Sequence, residues 1–317
     1  MHPPATFFET GKQNRKPKRL QFDEILKKSK ISLESAKPPE PNLPTYELLR
    51  QRELLLDKKH AAPIVKTRRW RVCLDEDKMR HVQRTLFDPN AKSDLPGALC
   101  EASDFQTLRP GTWLNDNVVN FYGVMINMRC SKYEEIQIES CPTLLSPGDP
   151  GFLRSYCFSS FFMTKYDKDG FNGVKRWSKK VDLFQKDVII FPVNINNTHW
   201  TCAAINLRQK RFEFYDSMGN ENRHVLDNLK DYIQNEHLAK RKVELDTLDW
   251  DYCYTKPPQQ NNGYDCGVFV CQFMDCLSRD WGGGDTVFDF SQQNLPYIRN
   301  KVVYEISTRK FLEEEWS

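Results

Sequence analysis

The chain has 317 residues, 39% hydrophobic and 12% aromatic, with a formal net charge of +3 and a mean hydropathy of −0.67. That is enough apolar material for a sizeable core, while the absence of any 18-residue apolar run excludes a membrane-spanning helix. The small net charge hides an opposition: residues 1–71 hold 17 Lys and Arg against 8 Asp and Glu, and the remainder holds 29 against 35. Nucleic acid is therefore not expected on the C-terminal part.

Residues 1–85 read as a basic, proline-interrupted and mostly disordered N-terminal extension, because few apolar clusters are present to offset ordering entropy. Within it, Leu48, Leu49, Leu54, Leu55 and Leu56 among charges predict an amphipathic helix over 45–60 that docks on a partner or on the folded part. The cluster Lys12, Arg15, Lys16, Lys18 and Arg19 fits a nuclear localisation patch as well as it fits a solvated tail. Arg68, Arg69 and Arg71 form a weaker patch.

Residues 86–317 form the expected folded domain. A helix is predicted near 115–129, and residues 130–153, carrying Glu134, Glu135, Glu139, Pro142, Pro147, Gly148, Asp149 and Pro150, read as an inserted surface loop. Strands are predicted near 188–192, 201–207, 212–215 and 243–249, and helices near 222–240, 266–280 and 290–312. Runs of both kinds in one domain give an α+β fold, a mixed central sheet flanked by helices.

The two strands around Arg208-Gln209-Lys210-Arg211 read as a β-hairpin that brings His199 and Asp216 roughly opposite each other. An imidazole beside a carboxylate has its tautomer fixed and its protonated form stabilised, as a general base requires. Further on, Val268, Phe269, Val270, Phe273 and Leu277 have the spacing of a buried helix starting near Asp265 or Cys266. Cys266 then stands at the positive end of a helix, which favours a thiolate nucleophile. Gln260, in the loop before it, can offer a side-chain amide to an oxyanion. Each signal is weak alone: a free cysteine usually packs, a lone aspartate usually caps a turn, and Trp113 and Trp200 would ordinarily be core aromatics. Four complementary roles in workable order carry the reading.

Ten cysteines include no C-x-x-C pair, and Cys266, Cys271 and Cys276 turn by about 140° from one to the next on a helix, so no metal site is expected. No phosphate-binding glycine motif and no internal repeat is present. Without a secretory signal, a reducing intracellular compartment is expected.

His199-Trp200, Asp216-Ser217, Gln260 and Asp265-Cys266-Gly267, in this order, resemble the SUMO-specific (sentrin-specific, ubiquitin-like) cysteine proteases. Gly111-Thr112-Trp113-Leu114-Asn115-Asp116, Ser160-Phe161-Phe162, Gly173-Val174-Lys175-Arg176-Trp177 and Ile189-Ile190-Phe191-Pro192-Val193-Asn194 match as well. The resemblance implies a papain-like cysteine protease fold with Cys266 as nucleophile, His199 as base, Asp216 as its orienting partner and Gln260 at the oxyanion. It implies that Trp113 and Trp200 roof a tunnel for the modifier's Gly-Gly tail, and that Asp116 and Phe161 touch the modifier's globular surface. The implied activity is cleavage after that Gly-Gly, in precursor processing and in isopeptide release from lysine, with no cofactor. SUMO or a related ubiquitin-like protein and its lysine conjugates are the implied partners, with an import receptor or other partner for the basic tail. A nuclear location follows, including the nuclear envelope or shuttling. Three alternatives stand beside this reading: the same chemistry on another ubiquitin-like modifier, a related acyltransferase, or a modifier-binding module whose catalytic residues are vestigial.

Overall fold

The computed structural model describes residues 66–139, 151–282 and 284–312. The basic cluster at 12–19 and the helix expected over 45–60 lie outside these residues. The elements run α1 Glu76–Phe87, β1 Lys92–Leu95, β2 Ala98–Glu101, α2 Ala102–Gln106, α3 Asp116–Glu139, β3 Gly151–Phe152, β4 Ser155–Cys157 and α4 Phe161–Val174. They continue with β5 Val188–Ile195, β6 His199–Asn206, β7 Arg211–Tyr215, α5 Arg223–Arg241, β8 Asp251–Cys253, α6 Cys266–Leu277, β9 Arg279–Asp280 and α7 Leu295–Thr308.

Five strands form the central sheet in the order β4-β5-β6-β7-β8. The inner strands β5, β6 and β7 are antiparallel, while β4 and β8 run parallel to their neighbours, so the sheet is mixed. Its middle strands are buried on both faces, which is why Val188-Ile189-Ile190-Phe191 reads as a continuous apolar run rather than an alternating one. One face, with Ile189, Phe191, Val193, Ala203, Ile205, Phe212 and Phe214, packs against Phe162 and Tyr166 of α4 and Leu226, Leu229, Tyr232 and Ile233 of α5. The other face, with Ile190, Cys202, Ala204 and Tyr215, shares one core with α3, α6 and α7. Every residue of α6 is buried, so the nucleophile candidate begins a helix enclosed on all sides. Among the described residues, no helix is long and apolar enough to cross a membrane.

Three expectations need correction. The boundary at 85/86 falls inside α1, whose Val82 and Leu86 are buried and whose His81 Nε2 lies 2.8 Å from Ser307 Oγ of α7. The folded unit starts earlier still: the Arg68 guanidinium is buried, with Nη1 2.6 Å from Asp275 and Nη2 2.5 Å from Asp289. The arginines gave no sign of this, because buried carboxylates distant in sequence hold the segment.

The loop expected over 130–153 is helix through Glu139, with Cys130 buried and Lys186 Nζ 2.7 Å from Glu134. No glycine or proline interrupts 130–139, so charge alone did not end the helix; residues 140–150 lie outside the description. The strand expected at 243–249 is absent, and the chain pairs with β7 only at Asp251–Cys253. There Phe212 meets Trp250 and Tyr252, with ring centroids 5.2 and 5.6 Å away. Tertiary aromatic packing thus overrode the local β pattern.

Candidate active site

The first residue of β6 is His199, and Asp216 follows β7. Cys202 pairs with Tyr215 in the ladder, so the two functional side chains meet diagonally just beyond its end. His199 Nε2 donates to Asp216 Oδ1 at 2.6 Å. Oδ1 also accepts from the Met218 amide at 2.7 Å, and Oδ2 accepts from Asn220 Nδ2 at 2.9 Å. Burial alone would raise the Asp216 carboxyl, but the His199, Met218 and Asn220 bonds prevail and hold it below its ordinary value.

Met218 and Asn220 reach back because the chain turns sharply, with Gly219 at φ +77° and its amide donating to the Asp216 carbonyl at 2.9 Å. Gln259 braces the turn by donating from Nε2 to that same carbonyl at 3.2 Å. Neither Asn220 nor Gln259 stands out in the sequence. The Asp-Ser-x-Gly-Asn turn signal could have suggested the first, but nothing local suggests the second.

With Nε2 on Asp216, Nδ1 is the ring nitrogen left for Cys266. Nδ1 is buried and has no hydrogen-bond partner, while the Cys266 side chain lies close enough to act on the imidazole. Burial pulls the His199 pKa down, yet Asp216 and Cys266 together raise it to about 9. Their pull on His⁺ outweighs its desolvation, so the ring carries a proton near neutral pH.

Cys266 opens α6 and is 2% exposed. The first hydrogen bonds into the helix come from Val268 and Phe269, both to the Asp265 carbonyl. The amides of Cys266 and Gly267 precede that ladder and point toward the helix start, where an oxyanion can be met. Gln260 lies alongside: its Oε1 accepts from Ser217 Oγ at 2.6 Å, and Nε2 donates to the Asn262 carbonyl at 2.5 Å. A second Nε2 hydrogen is left for another acceptor.

Gly267 explains the glycine after the cysteine. A Cβ there would sit 2.7 Å from Leu114 Cβ and 3.2 Å from Trp200 Cδ1. Trp200 is buried and donates from Nε1 to the Leu114 carbonyl at 2.9 Å, while neighbouring Trp113 is 51% exposed. The Trp113-Leu114 segment therefore lies on the start of α6, with one tryptophan fixed in the protein and the other open to a ligand. Gly267→Ala is expected to push this segment away, costing about 1–3 kcal/mol of stability together with activity. Thermal unfolding and turnover, measured together, check it.

Asp116 begins α3 and accepts from Ser160 Oγ at 3.1 Å, next to Phe161, which is 54% exposed at the start of α4. The fold thus gathers Trp113, Asp116 and Phe161 along neighbouring surface. Arg299, Asn262 and Gln292 were not singled out in the sequence, yet they hold the residue preceding the nucleophile. Asp265 Oδ1 accepts from Arg299 Nη2 at 2.7 Å, and its Oδ2 accepts from Asn262 Nδ2 and Gln292 Nε2, both at 2.8 Å.

Among the described residues, no group of three or more His, Cys, Asp or Glu side chains is placed to hold a metal ion. What the site offers is an acyl-transfer arrangement: a thiol at a helix start, an imidazole whose far nitrogen is fixed by a carboxylate, and amide donors nearby.

Residues 112–311 match the family model described as the Ulp1 protease family, C-terminal catalytic domain. A sentrin-specific protease of Caenorhabditis elegans is 37% identical over 210 residues, covering 66% of this chain and 27% of that protein. Sentrin-specific protease 2 of Homo sapiens is 35% identical over 212 residues, covering 66% of this chain and 32% of that protein. The chain thus aligns with about a third or less of these relatives' length. Among solved structures, the C-terminal Ulp1 protease domain in complex with Smt3, the yeast ortholog of SUMO, is 28% identical with a TM-score of 0.58, covering 74% of this chain and 96% of that one. A Chaetomium thermophilum Ulp1-like SUMO protease catalytic domain, at 22% identity and a TM-score of 0.62, shares the fold. On the match over residues 112–311, and on the fold and side-chain arrangement that accompany it, the chain belongs to the Ulp1 protease family.

Proposed function

We propose that this chain is a cysteine protease that cleaves after the C-terminal Gly-Gly of SUMO, both in precursors and in isopeptide conjugates with lysine. The observation that carries the reading is the bond from His199 to Asp216 together with the buried Cys266 at the start of α6, whose side chain acts on the same imidazole. Cys266 Sγ attacks the glycine carbonyl with the shared proton on His199. Gln260 and the first amides of α6 stabilise the oxyanion. The tetrahedral intermediate then collapses as His199 passes its proton to the departing lysine amine, leaving a thioester. His199 next takes a proton from water, whose attack on the thioester releases the modifier and restores the thiol. Exposed Trp113 and buried Trp200 flank the tail, where glycine fits because a side chain would collide with the walls, and Asp116 and Phe161 meet the modifier's body.

Purified chain incubated with ubiquitin-like modifiers, each bearing a thiol-reactive group in place of its terminal carboxylate, tests this. A covalent adduct with SUMO that is absent from Cys266→Ser is the expected outcome. An adduct only with another modifier would keep the mechanism and change the substrate; no adduct would sink both. A nuclear location and an import receptor form the finer part of the proposal and rest on the Lys12 to Arg19 cluster, with loss of nuclear accumulation on its neutralisation as the expected result.

A further inference from the structure

Two segments far apart in sequence must meet for this site to work: the loop carrying Trp113 and the turn that leads into Cys266. One buried side chain touches both. Arg299 of α7 is 4% exposed. On the nucleophile's side, its Nε and Nη2 donate to Asp265 Oδ1 at 2.9 and 2.7 Å, and Nη2 donates to the Tyr264 carbonyl at 3.3 Å. On the other side, Nη1 donates to the carbonyls of Thr107 and Arg109 at 3.3 and 3.0 Å, and Nη2 to that of Thr112 at 2.9 Å.

Trp113 is therefore fixed from both flanks. The residue before it is tied to Arg299, and the residue after it lies against Gly267 and accepts from Trp200. The turn between Arg109 and Thr112 depends on Gly111 at φ +79°, and inside it Thr112 Oγ1 donates to the carbonyls of Thr107 and Arg109 at 2.7 and 2.6 Å, the same carbonyls that Arg299 ties to the nucleophile's side. A planar guanidinium can bond a carboxylate and a fan of carbonyls at once, whereas a lysine ammonium cannot span both sets.

We infer that Arg299 is a positioning residue that sets the Trp113 segment in register with Cys266, so that a substrate tail held by the tryptophan is delivered to the sulfur. The inference rests on the proposed Gly-Gly protease reading. Arg299→Lys isolates it, because the retained charge still faces Asp265 while the fan of bonds to the loop is lost. In the full chain, two rates are compared: capture of SUMO bearing a thiol-reactive C-terminus, and alkylation of Cys266 by iodoacetamide, followed on the Cys266 peptide by mass spectrometry. The small reagent needs the thiol but not the tryptophan.

Capture is expected to fall by about 10²-fold in Arg299→Lys, while alkylation changes by less than about threefold. Equal capture by variant and wild type would overturn the inference and leave the protease reading intact. A parallel fall in both rates, with a lowered unfolding temperature, would overturn it too, by showing a role in stability alone. Wild type that alkylates at Cys266 yet captures no modifier would instead remove the protease reading on which the inference stands.

Discussion

Asp216→Asn is expected to lower kcat/KM on a Gly-Gly reporter by about 10²- to 10⁴-fold and to move the alkaline limb of its pH profile to lower pH. The direction follows from the forces on His199. Burial, the largest of them, favours the neutral ring, and the Asp216 and Cys266 interactions reverse it and raise the pKa to about 9. In the wild type the His199 ring is held protonated up to about pH 9, and on the proposed mechanism that imidazolium is what protonates the leaving amine. With the carboxylate gone, burial is opposed only by the thiol, and the ring loses its proton earlier.

The same shift acts on stability. A histidine raised above its ordinary 6.5 contributes stability that is fully present below that pH and is lost as pH rises through about 9. Asp216→Asn should therefore flatten the wild-type decline across that window. Turnover from pH 5.5 to 10 and denaturant melts at both ends test this. An unmoved alkaline limb would show that Asp216 does not govern the imidazole.

The second large effect lies away from the thiol. Asp275 is buried on α6 and receives Arg68 Nη1 and Arg129 Nη1, each at 2.6 Å, and Arg279 Nη2 at 3.1 Å. Although burial would raise its pKa, the surrounding cations hold it well below the ordinary carboxylate value. Asp275→Ala would deprive three guanidinium groups of their common carboxylate inside the protein, at an expected cost of about 3–5 kcal/mol. For a domain of this size that lowers the unfolding temperature by about 10 °C. By contrast, removal of the exposed Arg80–Asp77 pair should cost less than about 1 kcal/mol. Thermal unfolding of the two variants side by side decides the matter; equal small losses would mean that the buried network is energetically neutral. Arg68 stands well before the family-matched residues 112–311, so a fragment starting at 72 should also be destabilised.

What the sequence determined by itself was local or nearly so. The β6-β7 hairpin, the buried α6 and the mixed architecture followed from apolar runs and turn residues, because periodicity and turn chemistry act over a few residues. His199, Asp216, Gln260 and Cys266 stood out because acyl transfer needs their chemistry together, and the hairpin supplied a reason for two of them to meet. Tertiary structure alone decided which long side chains hold that arrangement in place. Arg299 bonds Thr112 and Asp265, and Arg68 reaches Asp275 and Asp289, across separations that carry no period or spacing rule. In the sequence such arginines are indistinguishable from solvated charges. Their roles arise from burial, where an ion must find partners wherever the folded chain happens to present them.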